Sequence, residues 1–145
     1  VYYYMEFDVT SNPIANEYSH ILSVRIDADD DINTGMSTGG VGADYLMEGN
    51  LYDGWYDFYE YSASDDEWSY IEDPNFYDKG IVIGHQEVDG NILKIEWAYS
   101  RRVFGITNTS YSFYFKAYDE DWNDADILQY SDGSNAIHIM MDKKE

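Results

Sequence analysis

Apolar and polar residues alternate with a period of two along most of this chain, and that pattern confines the fold to β-sheet. Met5, Phe7 and Val9 alternate with Tyr4, Glu6 and Asp8, and Leu22, Val24 and Ile26 alternate with Ile21, Ser23 and Arg25. Leu93, Ile95 and Trp97 follow the same rule, as do Tyr111, Phe113, Phe115 and Ala117, and then Ile137, Ile139 and Met141. Successive side chains of a strand point to opposite faces, so each segment presents one apolar face to a core. Residues 43–48, 51–61 and 81–86 add three more segments, which makes about eight strands. Gly49-Asn50, Asp89-Gly90 and Asp132-Gly133 supply turn signals between them. The pattern predicts an all-β fold, an antiparallel two-sheet β-sandwich. Residues 96–105 allow a short turn after their strand, closed by Gly105.

The 145 residues suit one domain, read as a single β-sandwich over residues 1–145. No boundary or internal repeat is visible. The chain opens on Val1 inside a strand pattern, which fits a processed chain or a domain excised from a longer one. No apolar run approaches the roughly 20 residues of a membrane span, so no membrane insertion is expected.

Charge narrows the partners. Asp and Glu number 29 against 8 Lys and Arg, a formal net charge of −21. A surface of that sign repels phosphate backbones, so nucleic acid is not an expected partner. Disorder is the usual state of so acidic a chain, but 44% hydrophobic and 18% aromatic content argue against it. An Asp-rich, Lys-poor balance fits either a salty or calcium-rich exterior or a charge that keeps the surface soluble and repulsive. The expected location is extracellular or at the cell surface. With no cysteine, disulfides, thiolate metal sites and thiol nucleophiles are excluded.

The acidic run Asp27-Ala28-Asp29-Asp30-Asp31-Ile32-Asn33-Thr34-Gly35 directly follows the strand at 21–26. Hard cations such as Ca²⁺ take six to eight oxygens, and alternating carboxylates in a turning loop supply them. Ile32 stands where an EF-hand has glycine, and no glutamate follows at the required offset. The candidate ligands of a structural calcium ion in this run are Asp27, Asp29, Asp31 and Asn33. A solvated acidic turn, with Asn33 and Gly35 at left-handed positions, is the competing reading.

The run from Val24 to Gly35, followed by Gly39-Gly40-Val41-Gly42-Ala43-Asp44-Tyr45-Leu46, resembles a pattern of secreted β-sandwiches. These are the family-9-like carbohydrate-binding modules and the related DOMON-like domains. Residues 92–105 and the acidic stretch 119–127 resemble later parts of the same domains. The resemblance implies a jelly-roll sandwich, often with a structural Ca²⁺, and a ligand that varies by member. It also implies that Asp44 hydrogen-bonds the acidic loop or joins the ligands of its calcium ion, although Asp44 reads equally as a turn cap. No set of sugar-contacting residues carries over.

Trp55, Trp68 and Trp122 lie in polar surroundings and are candidate ligand contacts, each also readable as a local anchor. On its strand Trp55 shares a face with Asp53 and Asp57, so Tyr52, Tyr56 and Phe58 should face inward. Trp97 shares a face with Leu93 and Ile95 and reads as core. Tyr2, Tyr4, Tyr56, Tyr59, Tyr114 and Tyr118 are candidates to tile an outer sheet face, although parity turns Tyr56 toward the core. Residues 62–73 read as a polar loop containing Trp68.

His20, His85 and His138 have no metal-ligand spacing, and no nucleophile elbow, P-loop or dinucleotide fingerprint occurs. The chain reads as a non-catalytic module that binds carbohydrate. Alternatively it is a structural or adhesive surface protein that contacts neighbouring surface proteins and self-assembles. In that case the tyrosine-rich first strand would be the pairing edge.

Overall fold

The structure is a computed structural model that describes residues 2–8, 21–50, 55–72, 81–89, 92–102, 104–106, 110–118, 122, 124–127 and 136–140. Among these the protein is all-β: twelve strands and no helix. The strands are β1 (Tyr2–Asp8), β2 (Ile21–Asp27), β3 (Met36–Thr38), β4 (Val41–Ala43), β5 (Tyr45–Asn50) and β6 (Trp55–Ser62), followed by β7 (Glu67–Tyr70), β8 (Ile81–Asp89), β9 (Ile92–Tyr99), β10 (Ser110–Tyr118), β11 (Asp124–Ile127) and β12 (Ala136–Met140).

The main antiparallel sheet runs β11-β10-β2-β5-β6-β7. β12 also pairs β10, along Ser110–Tyr114, while β11 takes Lys116–Tyr118. β2 occupies the other side of β10, so β11 and β12 share one edge end to end. β1, β9 and β8 form a second antiparallel sheet, and β3 and β4 a small hairpin. Gly39 and Gly40 turn that hairpin with φ of +57° and +91°, as a two-residue turn of type I′ demands.

Period-two patterning sorts the two faces of the main sheet. Leu22, Val24 and Ile26 of β2 join Met47, Phe58, Phe113 and Phe115 in the principal core. Tyr99, at the end of β9, and Phe104 and Ile106, just beyond it, pack into the same cluster. The Phe104 ring lies 4.7 Å from Tyr99 and 5.9 Å from Phe58. The opposite face, called outer here, carries Ser23, Arg25 and Asp27 from β2. At one end of this face the β3–β4 hairpin covers Tyr114, forming a second cluster of Val41, Ala43, Tyr114 and Ala136.

Several sequence expectations need correction. Twelve strands replace about eight, because β3, β4, β7 and β11 have only three or four residues each and no alternation long enough to read. Residues 67–70 are a strand rather than part of a polar loop, and Trp68 lies on it, paired with Tyr61. Gly49 and Asn50 are the end of β5, paired with Tyr56 and Trp55, rather than a turn. Tyr56 packs against the principal core instead of tiling the outer face. The turn after β9 forms as expected: Ile106 N–H donates to the Arg101 carbonyl at 3.0 Å and Gly105 N–H to the Arg102 carbonyl. With Gly105 at φ +62°, this is the Schellman closure. The Asp132-Gly133 turn, Val9, Met141 and the side chains of Trp55 and Trp97 lie outside the described residues. No helix among the described residues is long and apolar enough to cross a membrane.

Candidate functional site

Strand β2 delivers Asp27 to the rim of the sheet, where the acidic loop begins. Asp27 is 2% exposed. Its carboxylate accepts the Gly42 N–H at 3.1 Å and the Asp31 N–H at 3.2 Å. Asp44 sits between β4 and β5. Its N–H donates to the Ile26 carbonyl and its own carbonyl accepts from Tyr61 N–H, both at 2.9 Å. These two bonds tie it to β2 and β6, and its carboxylate accepts the Ala28 N–H at 2.9 Å. Asp29 projects from the loop and accepts the Asp31 N–H and the Thr34 hydroxyl, each at 3.0 Å.

These contacts gather one carboxylate oxygen from each of Asp27, Asp29 and Asp44 within 4.8 Å of one another, a group able to hold a metal ion. At an effective dielectric near 20, unit charges about 4 Å apart repel by roughly 4 kcal/mol. Burial, reinforced by the Asp44 and Asp29 charges, pushes the Asp27 carboxyl up to about 6 despite its two N–H donors. Burial also raises Asp44, with Asp29 and Glu60 adding to the effect. A bound cation would relieve this repulsion, and three carboxylates supply part of the six to eight oxygens that a hard ion takes.

Asp31 and Asn33 stand apart from that group. The Asp31 carboxylate accepts the Asn33 N–H at 3.0 Å and its side-chain amide at 2.7 Å, and these bonds hold it below the usual carboxylate range. The two residues form the exposed tip of the loop. Gly35 is at φ +63°, as the turn reading expected of that position, whereas Asn33 is not left-handed and Asp30 takes that conformation instead.

Sequence spacing missed a neighbouring trio. Asp30, at φ +58°, accepts a hydrogen bond from the Ser112 hydroxyl and lies 3.3 Å from His138 Nδ1. Ser112 Oγ is itself 2.6 Å from the same nitrogen. Although burial raises the Asp30 carboxyl, hydrogen bonds from Ser112, Ser110 and His138 outweigh it and lower the pKa. A nucleophilic triad needs serine and carboxylate on opposite ring nitrogens. Here both meet Nδ1, so the trio fastens the loop to β10 and β12. Only the strand register, Asp27↔Ser112↔His138, reveals it.

The tryptophans separate. Trp68 is half-buried against Val41, Ala43, Tyr114 and Ala136, with its ring 5.4 Å from Tyr61. Trp122 is 51% exposed at φ +63°, 5.7 Å from the Tyr118 ring. Trp55 opens β6 opposite Asn50. As expected of that strand, Phe58 is fully buried and Tyr56 packs on the core.

Comparison with known proteins returns no match to any family model, curated protein or solved structure.

Proposed function

We propose that this chain is a non-catalytic, carbohydrate-binding-like module of a secreted or cell-surface protein, with a structural calcium ion at Asp27, Asp29 and Asp44. Its sheets would pack as a jelly-roll-like two-sheet sandwich. The observation that carries the reading is the convergence of those three carboxylates where β2 leaves the sheet. Oxygen-only donors favour a hard cation, and a loop built around an ion suits a calcium-rich exterior. The resemblance of this loop and of Gly42–Tyr45 to family-9-like and DOMON-like modules supports the same reading.

The test is calorimetry of the intact chain with CaCl₂ against NaCl at matched ionic strength. A ligand at a hundredfold excess over Kd adds about 2.7 kcal/mol of stability. Calcium should raise the melting temperature beyond the sodium control, and Asp29→Ala should remove most of that excess. Equal shifts in the two salts would reduce the loop to a solvated turn. A glycan array paired with a sizing run tests the ligand class.

One observation favours the second reading, a self-assembling surface subunit. β1 lies at the end of its sheet among the described residues, and Tyr4 on it is 55% exposed. An open edge of that kind templates strand addition. Concentration-dependent assembly without glycan affinity would select it.

A further inference from the structure

The outer face of the main sheet beside the hairpin interleaves polar and aromatic side chains around the buried Ser23, Leu46, Tyr114 and Tyr118. One cross-strand rung reads Asp57↔Glu48↔Ser23↔Lys116, from β6 through β5 and β2 to β10. The adjacent rung reads Tyr70↔Tyr59↔Leu46↔Arg25↔Tyr114. Residues directly opposite in an antiparallel pair share a face, so these side chains are neighbours.

Arg25 organises the surface. Its guanidinium donates to Ser23 Oγ at 2.8 Å and to the Tyr118 hydroxyl at 3.1 Å, and stacks 5.7 Å over the Tyr114 ring. Its buried Nε–H has no hydrogen-bond partner. An orphaned buried donor is unfavourable and calls for an explanation. Lys116 lies over the Tyr118 ring at 4.9 Å, and Glu48 accepts from Ser23. Burial lifts the Glu48 carboxyl, which Arg25 and Ser23 only partly offset. This is a half-desolvated floor of donors and acceptors.

Aromatic planes flank the floor on two sides. Tyr59 pairs with the half-exposed Tyr70 at 5.8 Å, and Trp122 leans on Tyr118. Trp122 holds a left-handed backbone, a conformation costly for a bulky residue, and strain of that kind persists mainly at functional positions.

We propose that this face is a carbohydrate-binding site, with Arg25, Glu48, Asp57 and Lys116 orienting hydroxyls and Tyr59 and Trp122 offering stacking planes. The assignment rests on the carbohydrate-binding reading above and gives it a location. Two cations facing two acids make the patch nearly neutral within a chain of net charge −21, which favours an uncharged polyol over a polyanion or polycation. The core of a protein interface is depleted of charged residues, whereas sugar sites combine fixed polar groups with apolar planes.

The test is titration of the intact ¹⁵N-labelled chain with neutral xylo-, cello-, manno- and malto-hexaose. At least one sugar should bind, with shift changes centred on residues 23–25, 46–48, 57–59 and 116–118. Glu48→Gln should weaken that sugar at least tenfold while the melting temperature holds, and Arg25→Lys should weaken it at least tenfold with some loss of stability, since Arg25 also bonds Ser23 and Tyr118. His138→Ala, at the far end of the same face, should leave affinity unchanged. If none of the sugars binds, both this site and the carbohydrate reading are overturned. If a sugar binds but the shifts cluster elsewhere, or both variants keep full affinity, only the site is overturned. The shift map of the unmodified chain decides even where a variant does not fold.

Discussion

The Asp27 carboxylate accepts the amide of Gly42 at 3.1 Å, joining the end of β2 to β4 across fifteen positions of sequence. The acidic loop is therefore closed at its base by a charge-to-backbone bond, independent of any ion. Gly42 is where the loop backbone folds against the hairpin. A Cβ added there would meet the Thr34 carbonyl oxygen at 2.1 Å and the Asp31 carbonyl oxygen at 2.5 Å. Both are backbone atoms, so the loop itself would have to move. Gly42→Ala is expected to cost about 1–3 kcal/mol, the range of an overpacked site, measured by urea denaturation. An unchanged midpoint would show that the loop shifts freely and is no rigid cradle.

The raised pKa of Asp27 gives the ion-free protein a definite pH dependence. Its carboxyl is at about 6 in the fold against 3.8 for the unperturbed group. The folded state thus holds this proton more tightly than the unfolded chain does. The resulting stability is fully present below pH 3.8 and is lost as pH rises through about 6. At 1.36 kcal/mol per unit the loss is about 3 kcal/mol as an upper figure. Asp44, also raised, acts in the same direction. The melting temperature without calcium should fall between pH 4 and pH 7, and Asp27→Asn should flatten part of that fall. A midpoint that rises over the interval in the unmodified protein would contradict the assignment.

The legibility of this chain divides along contact range. β2 and β10 were readable because Leu22, Val24, Ile26, Phe113 and Phe115 alternate over enough residues to fix both type and facing, and all are buried. Phe58 and Tyr56 followed from the same parity. Asp27 and Asp29 were legible because acid spacing near a strand end is local, whereas Asp44, seventeen positions from Asp27, was linked to the loop only by the resemblance. The strand β7 was hidden because Glu67, Ser69 and Tyr70 are all exposed on a four-residue edge, which leaves no apolar face to read. The Asp30–Ser112–His138 trio and the Arg25–Tyr118 bond join residues far apart in sequence. Only the pairing register brings them together, and no spacing rule encodes that register.

Ser112 should prove more costly to remove than an ordinary strand serine. It is 1% exposed and supplies the hydroxyl that holds Asp30 in its left-handed backbone. Ser112→Ala deprives the half-buried Asp30 carboxylate of one of its hydrogen-bond donors, for which the expected loss is about 1–3 kcal/mol. Asp30→Gly removes both the carboxylate and the backbone strain. In the double variant the two losses should therefore fall short of additivity by at least about 0.5 kcal/mol. Additive losses would show that Ser112 and Asp30 do not act as a unit.

Trp68 and Trp122 should respond oppositely to replacement. Trp68 packs half-buried on the second cluster, so Trp68→Ala should cost stability, approaching the lower end of the roughly 3–5 kcal/mol seen for a buried tryptophan. Trp122 contributes little burial at 51% exposure and holds φ +63°. A left-handed residue with a Cβ carries a penalty of about 1–2 kcal/mol that glycine escapes. Against that stands the stacking on Tyr118, worth about 0.5–1.5 kcal/mol for an aromatic pair. Trp122→Gly should then leave the unfolding free energy unchanged or raise it by about 1 kcal/mol, while weakening any sugar bound on the outer face several-fold. A tryptophan whose removal stabilises the fold and weakens the ligand is retained for binding. A clear loss of stability in Trp122→Gly, with affinity intact, would instead make it a structural anchor like Trp68.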